Sequence, residues 1–335
     1  MELLGRGPSF NPELEGLKIR WFSSWHPMLD EALAVLPEME TCPHELFGAI
    51  MRNPSPTAKR MGLVTRDGEP QGVVGLRRRR GCWEPAGQGV TPRAFVPCRP
   101  GMEYPVLAAT RLTLKVNYWP GEIPAGRWIR DVEPYTVYTM PTDRRLEDHW
   151  RASHQWNVIK KARRRTCGMK FSVETAGDAV DRIVERWAEK WEGDRAQETL
   201  RAPDIALAGR YYQRAGQYVA ATLTLDGELA AGTTYFLRDR VLVMQTHWTS
   251  ADFRWHGSGT RIVDLLYEWA QEHGIRQIDL GGGGGYKSDV GIAESFRTNF
   301  AIAPPLRYTA LRMGRQVKRV ERLLDRMSRE QGGSA

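Results

Sequence analysis

The feature that most constrains the fold is an order of elements that occurs twice along the chain. Asp67-Gly68-Glu69 and Asp226-Gly227-Glu228 each lie between two runs with strand-like alternation, and Asp-Gly is a strong signal for a tight β-hairpin. Each hairpin follows a first strand and helical segments, and each is followed by a further strand. The order strand, helix, helix, hairpin, strand therefore predicts two copies of one α/β unit.

We place the two units at residues 17–142 and 143–310. The stretch 143–168 is rich in charge and predicts a charged helix that joins them. Residues 1–16 are expected to form a flexible leader, and residues 311–335 a basic amphipathic helix and tail. Only the second unit has glycine-rich turns, so we expect it to be the active copy and the first to be a degenerate scaffold.

Two glycine-rich turns occur within residues 245–300 of the second unit. The first, Arg254-Trp-His-Gly257-Ser-Gly259, precedes an amphipathic helix, and a helix start can hold an anion through its free N–H groups and dipole. The second, Gly281–Gly285, follows a short strand, and five consecutive glycines carry a large ordering entropy. A loop that accommodates a ligand explains this run better than a surface loop does, although the surface loop remains the alternative.

These motifs resemble those of known acyltransferases. Arg254-x-x-Gly257-x-Gly259 between a strand and a helix is similar to the acyl-donor motif of the GNAT superfamily, where the turn holds the pyrophosphate of coenzyme A. Asp279-Leu280-Gly281 with Tyr286-Lys287 and Gly291 resembles the end of the CelD-like acetyltransferase domain. Phe296-Arg297-x-x-Phe300, and the segment Trp156–Ala162, resemble the Fem-type peptidyltransferases, which are tandem GNAT proteins. The resemblance covers residues 145–302 directly and the first unit only through the repeat.

The resemblance implies an α/β fold of two tandem GNAT-like units, each with a mixed, mostly antiparallel sheet flanked by helices. It implies an N-acyltransferase in which an amine attacks an activated acyl donor. The Fem-like features and the basic charge favour aminoacyl-tRNA as donor, and the Arg254 turn favours acyl-CoA as the alternative. A non-catalytic RNA-binding tandem domain is a third hypothesis. Arg297 stands where Fem-type enzymes have a lysine that resembles an oxyanion stabiliser, so its charge is kept while its geometry differs.

Several side chains near these turns could serve the reaction. His247 and His256 are candidate bases because an imidazole titrates near neutrality, and a structural role is the alternative for each. The predicted catalytic residues are His247, Asp279, Tyr286, Lys287 and Arg297. The predicted donor-binding residues are Arg254, His256, Gly257, Ser258, Gly259 and Thr260. The predicted acceptor loop comprises Gly281, Gly282, Gly283, Gly284, Gly285, Phe296 and Phe300. The predicted nucleic-acid contacts are Lys160, Lys161, Arg163, Arg164 and Arg165.

Composition limits the remaining classes of function. A formal charge of +8 and a pI near 9.4 favour an anionic partner, and tRNA is the expected one, alongside a small-molecule or peptide amine as acceptor. The four cysteines show no paired spacing, which argues against a zinc site or a disulfide framework. No signal peptide or membrane-spanning run is visible. We therefore expect a cytoplasmic monomer without a bound cofactor or metal, whose donor is a substrate.

Overall fold

The computed structural model describes most of the 335-residue chain. The described residues are 11–38, 43–55, 57–79, 82–92, 96–120, 122–123, 126–191, 200–283, 285–310 and 312–313, and for residues 120, 295 and 296 only the backbone is described.

The first unit contains six strands and three helices in its described residues. They are β1 (Leu17–Phe22), α1 (Pro27–Val35), α2 (His44–Arg52), β2 (Lys59–Arg66), β3 (Glu69–Arg79), β4 (Cys82–Pro85), α3 (Glu103–Ala109), β5 (Leu114–Pro120) and β6 (Ile129–Pro141).

The second unit repeats this order after a connecting region. Its elements are α4 (Leu146–Ala152), α5 (Trp156–Arg165), β7 (Lys170–Glu174), α6 (Ala179–Lys190), α7 (Ala202–Arg214), β8 (Tyr218–Leu225), β9 (Glu228–Arg238), β10 (Val241–Thr249), α8 (Ser258–Glu272), β11 (Gln277–Gly282), α9 (Tyr286–Val290) and β12 (Ile292–Ile302). A short 3-10 helix, Arg254–His256, precedes α8.

Both predicted Asp-Gly hairpins are confirmed. β2 pairs with β3 and β8 pairs with β9, both antiparallel. Asp67 and Gly68 have φ of 52° and 86°, and Asp226 and Gly227 have φ of 51° and 86°. Two successive positive φ values are what a type I′ turn requires, and Asp-Gly adopts them with little strain.

All twelve strands form one mixed sheet in the order β1-β2-β3-β4-β5-β12-β6-β11-β10-β9-β8-β7. The pairings of β1 to β5 match those of β7 to β11, including one parallel pair in each unit, β4 with β5 and β10 with β11. The predicted tandem of two mixed, mostly antiparallel units is therefore confirmed. The last strand of each unit is exchanged, because β6 pairs with β11 while β12 pairs with β5, and the two exchanged strands pair with each other.

Helices cover both faces of this sheet. Residues of α1, α2, α6 and α7 share one buried apolar cluster, which therefore spans the two units. On the opposite face, α4, α5 and α8 cover the second unit, and α3 covers the first. The units thus share a core as well as a sheet.

Three sequence-based expectations need correction or restriction. The single connecting helix is two helices, α4 and α5, because His154 between them adopts a φ of 59° that no helix continues through. Residues 11–16 of the predicted flexible leader pack on the first unit, where the Asn11 amide donates to the Tyr104 hydroxyl at 2.8 Å; residues 1–10 lie outside the described residues. Residues 305–310 are helical, but nearly all of the predicted basic tail lies outside the described residues.

Candidate active site

A cavity of about 230 Å³ lies where the two units meet. The cavity opens where β10 and β11 separate. Their parallel pairing extends only from Val241 to Val243, and a β-bulge at Gln245 then interrupts the pairing of β10 with β9. Parting strands expose backbone and side chains that a continuous sheet would cover. The cavity is lined by Gly89, Thr91, Pro92, Tyr118, Tyr135, Trp187, Arg201, Phe236, Val243, Met244, Gln245, Gly281, Gly282, Lys287 and Arg297.

Three of the predicted catalytic residues meet at this cavity. Asp279, in the middle of β11, is only 2% exposed. One carboxylate oxygen, Oδ1, accepts the Gly281 N–H at 2.7 Å, and the other, Oδ2, accepts a hydrogen bond from the Arg297 guanidinium of β12. Burial raises the pKa of Asp279, and the charge of Arg297 opposes that rise. The carboxylate therefore holds Arg297 in place at the cavity wall.

Lys287 provides a second cation beside this pair. Its Nζ donates to the Leu280 carbonyl at 2.5 Å and to the Gly282 carbonyl at 3.3 Å. Burial lowers the pKa of Lys287 to about 8, with the Asp279 charge acting in the opposite direction. At neutral pH the ammonium is therefore mostly charged, and its charge is poorly screened because solvent is largely excluded.

The second glycine-rich turn forms part of the cavity wall. Gly281 has a φ of 72°, and a Cβ at Gly282 would lie 2.1 Å from the Tyr135 hydroxyl, so neither position accepts a larger residue without rearrangement. Gly283 is exposed, Gly285 precedes α9, and Gly284 lies outside the described residues. The run thus brings backbone close to Tyr135, as a ligand-lining loop requires.

His247 and Tyr286 lie behind the cavity and do not line it. Their ring centroids are 5.0 Å apart, and the Tyr286 hydroxyl is 3.6 Å from the Met244 sulfur. Burial, followed by the charges of Lys287 and Lys190, lowers the pKa of His247 to about 3. His247 is therefore neutral at physiological pH, and its packing against Tyr286 fits the structural alternative better than the role of base.

The Phe296-Arg297-x-x-Phe300 motif contributes only Arg297 to the described cavity. Phe300 is 2% exposed and packs edge-on against Trp119 in the core of the first unit, at a centroid distance of 5.7 Å. The side chain of Phe296 lies outside the described part of the chain. Phe300 therefore does not line the described cavity, because β12 pairs with β5 and carries it into the core of the first unit.

The predicted donor turn lies at the start of α8. Gly257 has a φ of 81° and lies against Ala162 of α5, since a Cβ there would be 3.0 Å from the Ala162 Cβ. The Ser258 hydroxyl donates to the Phe253 carbonyl at 3.1 Å, so it fixes the turn and is not free for a ligand. Arg254 is exposed at the end of the turn, and His256, Gly259 and Thr260 are partly buried beside it. The turn keeps the geometry of an anion site at the N-terminus of a 15-residue helix.

The basic residues of α5 lie next to this turn, but some are engaged in contacts within the protein and others are exposed. Arg163 makes a bidentate ion pair with Asp264, at 2.8 and 2.9 Å, so its guanidinium is already engaged within the protein. Arg165 donates to the Trp255 carbonyl at 2.7 Å, and its guanidinium lies over the Trp255 ring. The other three members, Lys160, Lys161 and Arg164, are exposed. With Arg254 and the 62% exposed Trp255, they form a basic and aromatic surface around the donor turn.

Several cavity residues are missing from the sequence-based prediction. Tyr118 and Tyr135 stack edge-on at 4.7 Å, and Tyr118 has a φ of 62°, an uncommon conformation that marks a constrained position. Gly89 and Thr91 come from the first unit, in the Gly- and Pro-rich stretch 82–105, whose composition was the only available signal. No local pattern marks Arg201 or Tyr135.

Comparison with known proteins shows that part of the chain matches a protein family. Residues 153–288 match the model of the acetyltransferase (GNAT) domain. This part of the chain is a GNAT domain. The match begins at the connecting region and ends just after Lys287, so it includes the donor turn and most of the cavity wall. The likeness to GNAT acetyltransferases is therefore shown for this part of the second unit. The sequence search of curated proteins finds no match.

Solved structures of similar overall shape include three with informative descriptions. FemX is 12% identical, with a TM-score of 0.48, covering 87% of this chain and 99% of its own. L-PGS from Bacillus licheniformis is 10% identical, with a TM-score of 0.47, covering 90% and 98%. A tandem GNAT protein from the clavulanic acid biosynthesis pathway is 15% identical, with a TM-score of 0.43, covering 85% and 97%. At such identities these likenesses do not identify a donor or an acceptor for this chain.

None of the described helices is both long and apolar enough to cross a membrane. The described residues also contain no group of three or more His, Cys, Asp or Glu side chains arranged to hold a metal ion.

Proposed function

We propose that the chain transfers an aminoacyl group from aminoacyl-tRNA to an amine acceptor and forms an amide. The observation that carries this proposal is the cavity at the parting of β10 and β11, where Lys287 and Arg297 bring two cations to one wall. The exposed basic surface around the donor turn extends beyond what one pyrophosphate needs and suits a polyanion.

The cavity residues provide what such a reaction needs. The neutral amine nitrogen attacks the ester carbonyl and a tetrahedral oxyanion forms. The C–O bond to the ribose then breaks, and one proton of the amine nitrogen passes to the leaving ribose oxygen, which departs as the alcohol. An ester is already activated, so positioning the reactants and stabilising the oxyanion dominate catalysis. We assign oxyanion stabilisation to the Lys287 ammonium and the Arg297 guanidinium, and the positioning of Arg297 to Asp279.

The pKa of Lys287 predicts how the chemical step depends on pH. Because its pKa lies near 8, the ammonium is present below that value and is lost above it. We expect the single-turnover rate, measured with acceptor in excess, to fall as pH rises through about 8. In Lys287→Arg the guanidinium stays protonated, so this fall should disappear. The acceptor amine titrates in the same way in both proteins, so a wild-type pH profile that matches that of Lys287→Arg would contradict the assigned charge.

The basic surface predicts a salt-dependent affinity for tRNA. Replacing Lys160, Lys161 and Arg164 with Ala should weaken tRNA binding and reduce the slope of log K against log salt by about 2 to 3, roughly one unit for each lost phosphate contact. Fluorescence anisotropy with labelled tRNA over a salt series measures both quantities. A matched triple Ala variant at Lys18, Arg20 and Lys115, which are exposed on the first unit, is the control. Equal slopes for the two variants would argue against this surface as the tRNA site.

An acyl-CoA donor remains the second candidate, and one observation favours it. The Arg254-x-x-Gly257-x-Gly259 turn begins a 15-residue helix with a left-handed glycine, as a pyrophosphate site does. Under this alternative, acetyl-CoA should raise the melting temperature saturably, and Arg254→Ala should abolish the rise. The two donors are separated by activity: amide formation from aminoacyl-tRNA that survives ribonuclease treatment of the donor would exclude the tRNA-dependent reaction.

A further inference from the structure

Arg201, immediately before α7, lines the cavity from the second unit. It lies against the backbone of Gly89, where a Cβ would be 2.2 Å from Arg201 Nη1, and Gly89 has a φ of 69°. The loop from the first unit is held rigidly against it: Gln245 Nε2 donates to the Val90 carbonyl at 2.6 Å, and the Asn117 N–H donates to the Gln88 side-chain oxygen at 2.8 Å. Arg201 therefore faces a preformed wall.

Unlike the other two cations of the cavity, Arg201 lacks a partner among the described residues. Arg297 is paired with Asp279, and Lys287 donates to two carbonyls. The Arg201 side chain makes no hydrogen bond or ion pair to any described residue, and its buried Nε has no acceptor. The guanidinium has five donor N–H groups in a planar fork that matches a carboxylate or a phosphate.

The nearest carboxylates are already engaged behind the cavity. Glu84 accepts from Arg77 at 3.2 Å and from the Gln88 side chain at 2.7 Å. Asp204 accepts from Asn53 at 2.8 Å and lies 3.4 Å from the Lys59 amine.

The local charge is therefore unbalanced. Three cations surround the two buried carboxylates of Glu84 and Asp204, namely Lys59, Arg77 and Arg201. A fourth, Arg79, lies 3.6 Å from Glu84. Burial, followed by the charges of Arg77 and Arg79, lowers the pKa of Arg201 to about 10. The group remains charged at neutral pH, and no described residue places a counter-charge in contact with it, which is costly away from water unless an anion completes the site.

We propose that Arg201 is an anion-binding subsite for the amine acceptor, and that the acceptor carries a carboxylate or a phosphate group besides its amine. The inference rests on the proposed function in assigning the anion to the acceptor, but anion binding itself can be tested without turnover. The acceptor class is then an amino acid, a peptide with a free carboxylate, or a phosphorylated amine, held with its anion on Arg201 and its amine toward Lys287 and Arg297.

The test is a thermal-shift titration with inorganic phosphate and, separately, succinate, at constant ionic strength set with chloride. We expect at least one probe to stabilise the wild type saturably, and the responding probe distinguishes a phosphate from a carboxylate ligand. Arg201→Gln should weaken the apparent affinity about 10- to 100-fold, the loss expected for charge-assisted hydrogen bonds. Its melting temperature without probe should be equal to or higher than that of the wild type, because an uncompensated charge is removed.

Two further variants test where on the protein the probe binds. Arg214→Gln changes an exposed arginine at the other end of α7 and should keep the wild-type response, whereas Arg254→Gln changes the donor turn and reports any probe bound there. Arg201→Lys keeps the charge and provides the comparison if the Gln variant does not fold; it should bind the probe more weakly than the wild type.

An unresponsive wild type, or a response that Arg201→Gln and Arg201→Lys leave unchanged, would overturn the proposal. A response lost in Arg254→Gln but kept in the Arg201 variants would place the anion at the donor turn and also overturn it. Activity separates this proposal from the function. If aminoacyl transfer is found with cadaverine as readily as with L-lysine, which differs from it by the carboxylate, the function stands and the acceptor subsite fails.

Discussion

Lys287→Met is expected to lower kcat about 10²- to 10³-fold, the loss typical of removing one group that stabilises an oxyanion. The size of the effect follows from the place of the ammonium. It lines the cavity from a partly buried position, where its charge is less screened than at the surface, and two backbone carbonyls hold it in position, so little reorganisation is needed when the oxyanion forms. KM for the acceptor should change little, since the interaction develops in the transition state.

Steady-state kinetics with the acceptor varied measures both constants. Lys170→Met is a suitable control, because Lys170 is exposed on β7 and far from the cavity wall. A melting temperature for Lys287→Met close to that of the wild type shows that the loss is not unfolding. If Lys287→Met keeps kcat within about threefold, Lys287 serves the fold alone, and oxyanion stabilisation falls to Arg297 or to the backbone.

Local sequence patterns were enough to predict the repeated unit and some of the residues that line the cavity. Asp-Gly turns, apolar periodicity and glycine runs each act over a few residues, so they predict hairpins, helices and loops without knowledge of distant partners. Asp279 and Lys287 could also be selected from a local pattern, because they flank the glycine run that shapes the cavity wall.

His247 shows where alternation along a strand fails. Val243 and Gln245 line the cavity, so strict alternation would place His247 on the same side of β10. The bulge between Met244 and Thr246 adds one residue and changes the side on which the following residues lie. His247 consequently packs beside Tyr286. A bulge inside an apolar strand has no clear sequence signal, so the side of the strand on which His247 lies could not be predicted from the sequence.

Pairing between distant strands could not be predicted either. The exchange of β6 and β12 places Tyr135 beside Gly282 and carries Phe300 into the first unit. Strand partners depend on tertiary packing and not on local propensity. The same exchange explains why a unit interpreted as a scaffold contributes Gly89 and Tyr118 to the cavity.

Asp279→Asn is expected to destabilise the protein by about 3–5 kcal/mol, the range found when one member of a buried ion pair is removed. The amide cannot balance the Arg297 guanidinium, and the side chains of Asp279 and Arg297 are only 3% and 13% exposed. Arg297→Met should be destabilising for the complementary reason, because it leaves the Asp279 carboxylate buried without its cation. Urea denaturation of each variant gives the free energy of unfolding.

The double variant Asp279→Asn/Arg297→Met separates stability from catalysis. It leaves neither charge unpaired, so its free energy of unfolding should fall by much less than the sum of the two single changes. Its kcat should nevertheless remain as low as that of Arg297→Met, since the guanidinium assigned to the oxyanion is absent. If kcat recovered together with stability, Arg297 would be a residue of the fold alone, and Lys287 would remain as the cation that stabilises the oxyanion. If instead each single variant lowers the free energy of unfolding by less than about 1 kcal/mol, water must reach this ion pair. The weak screening of charge that the Lys287 prediction assumes would then be wrong as well.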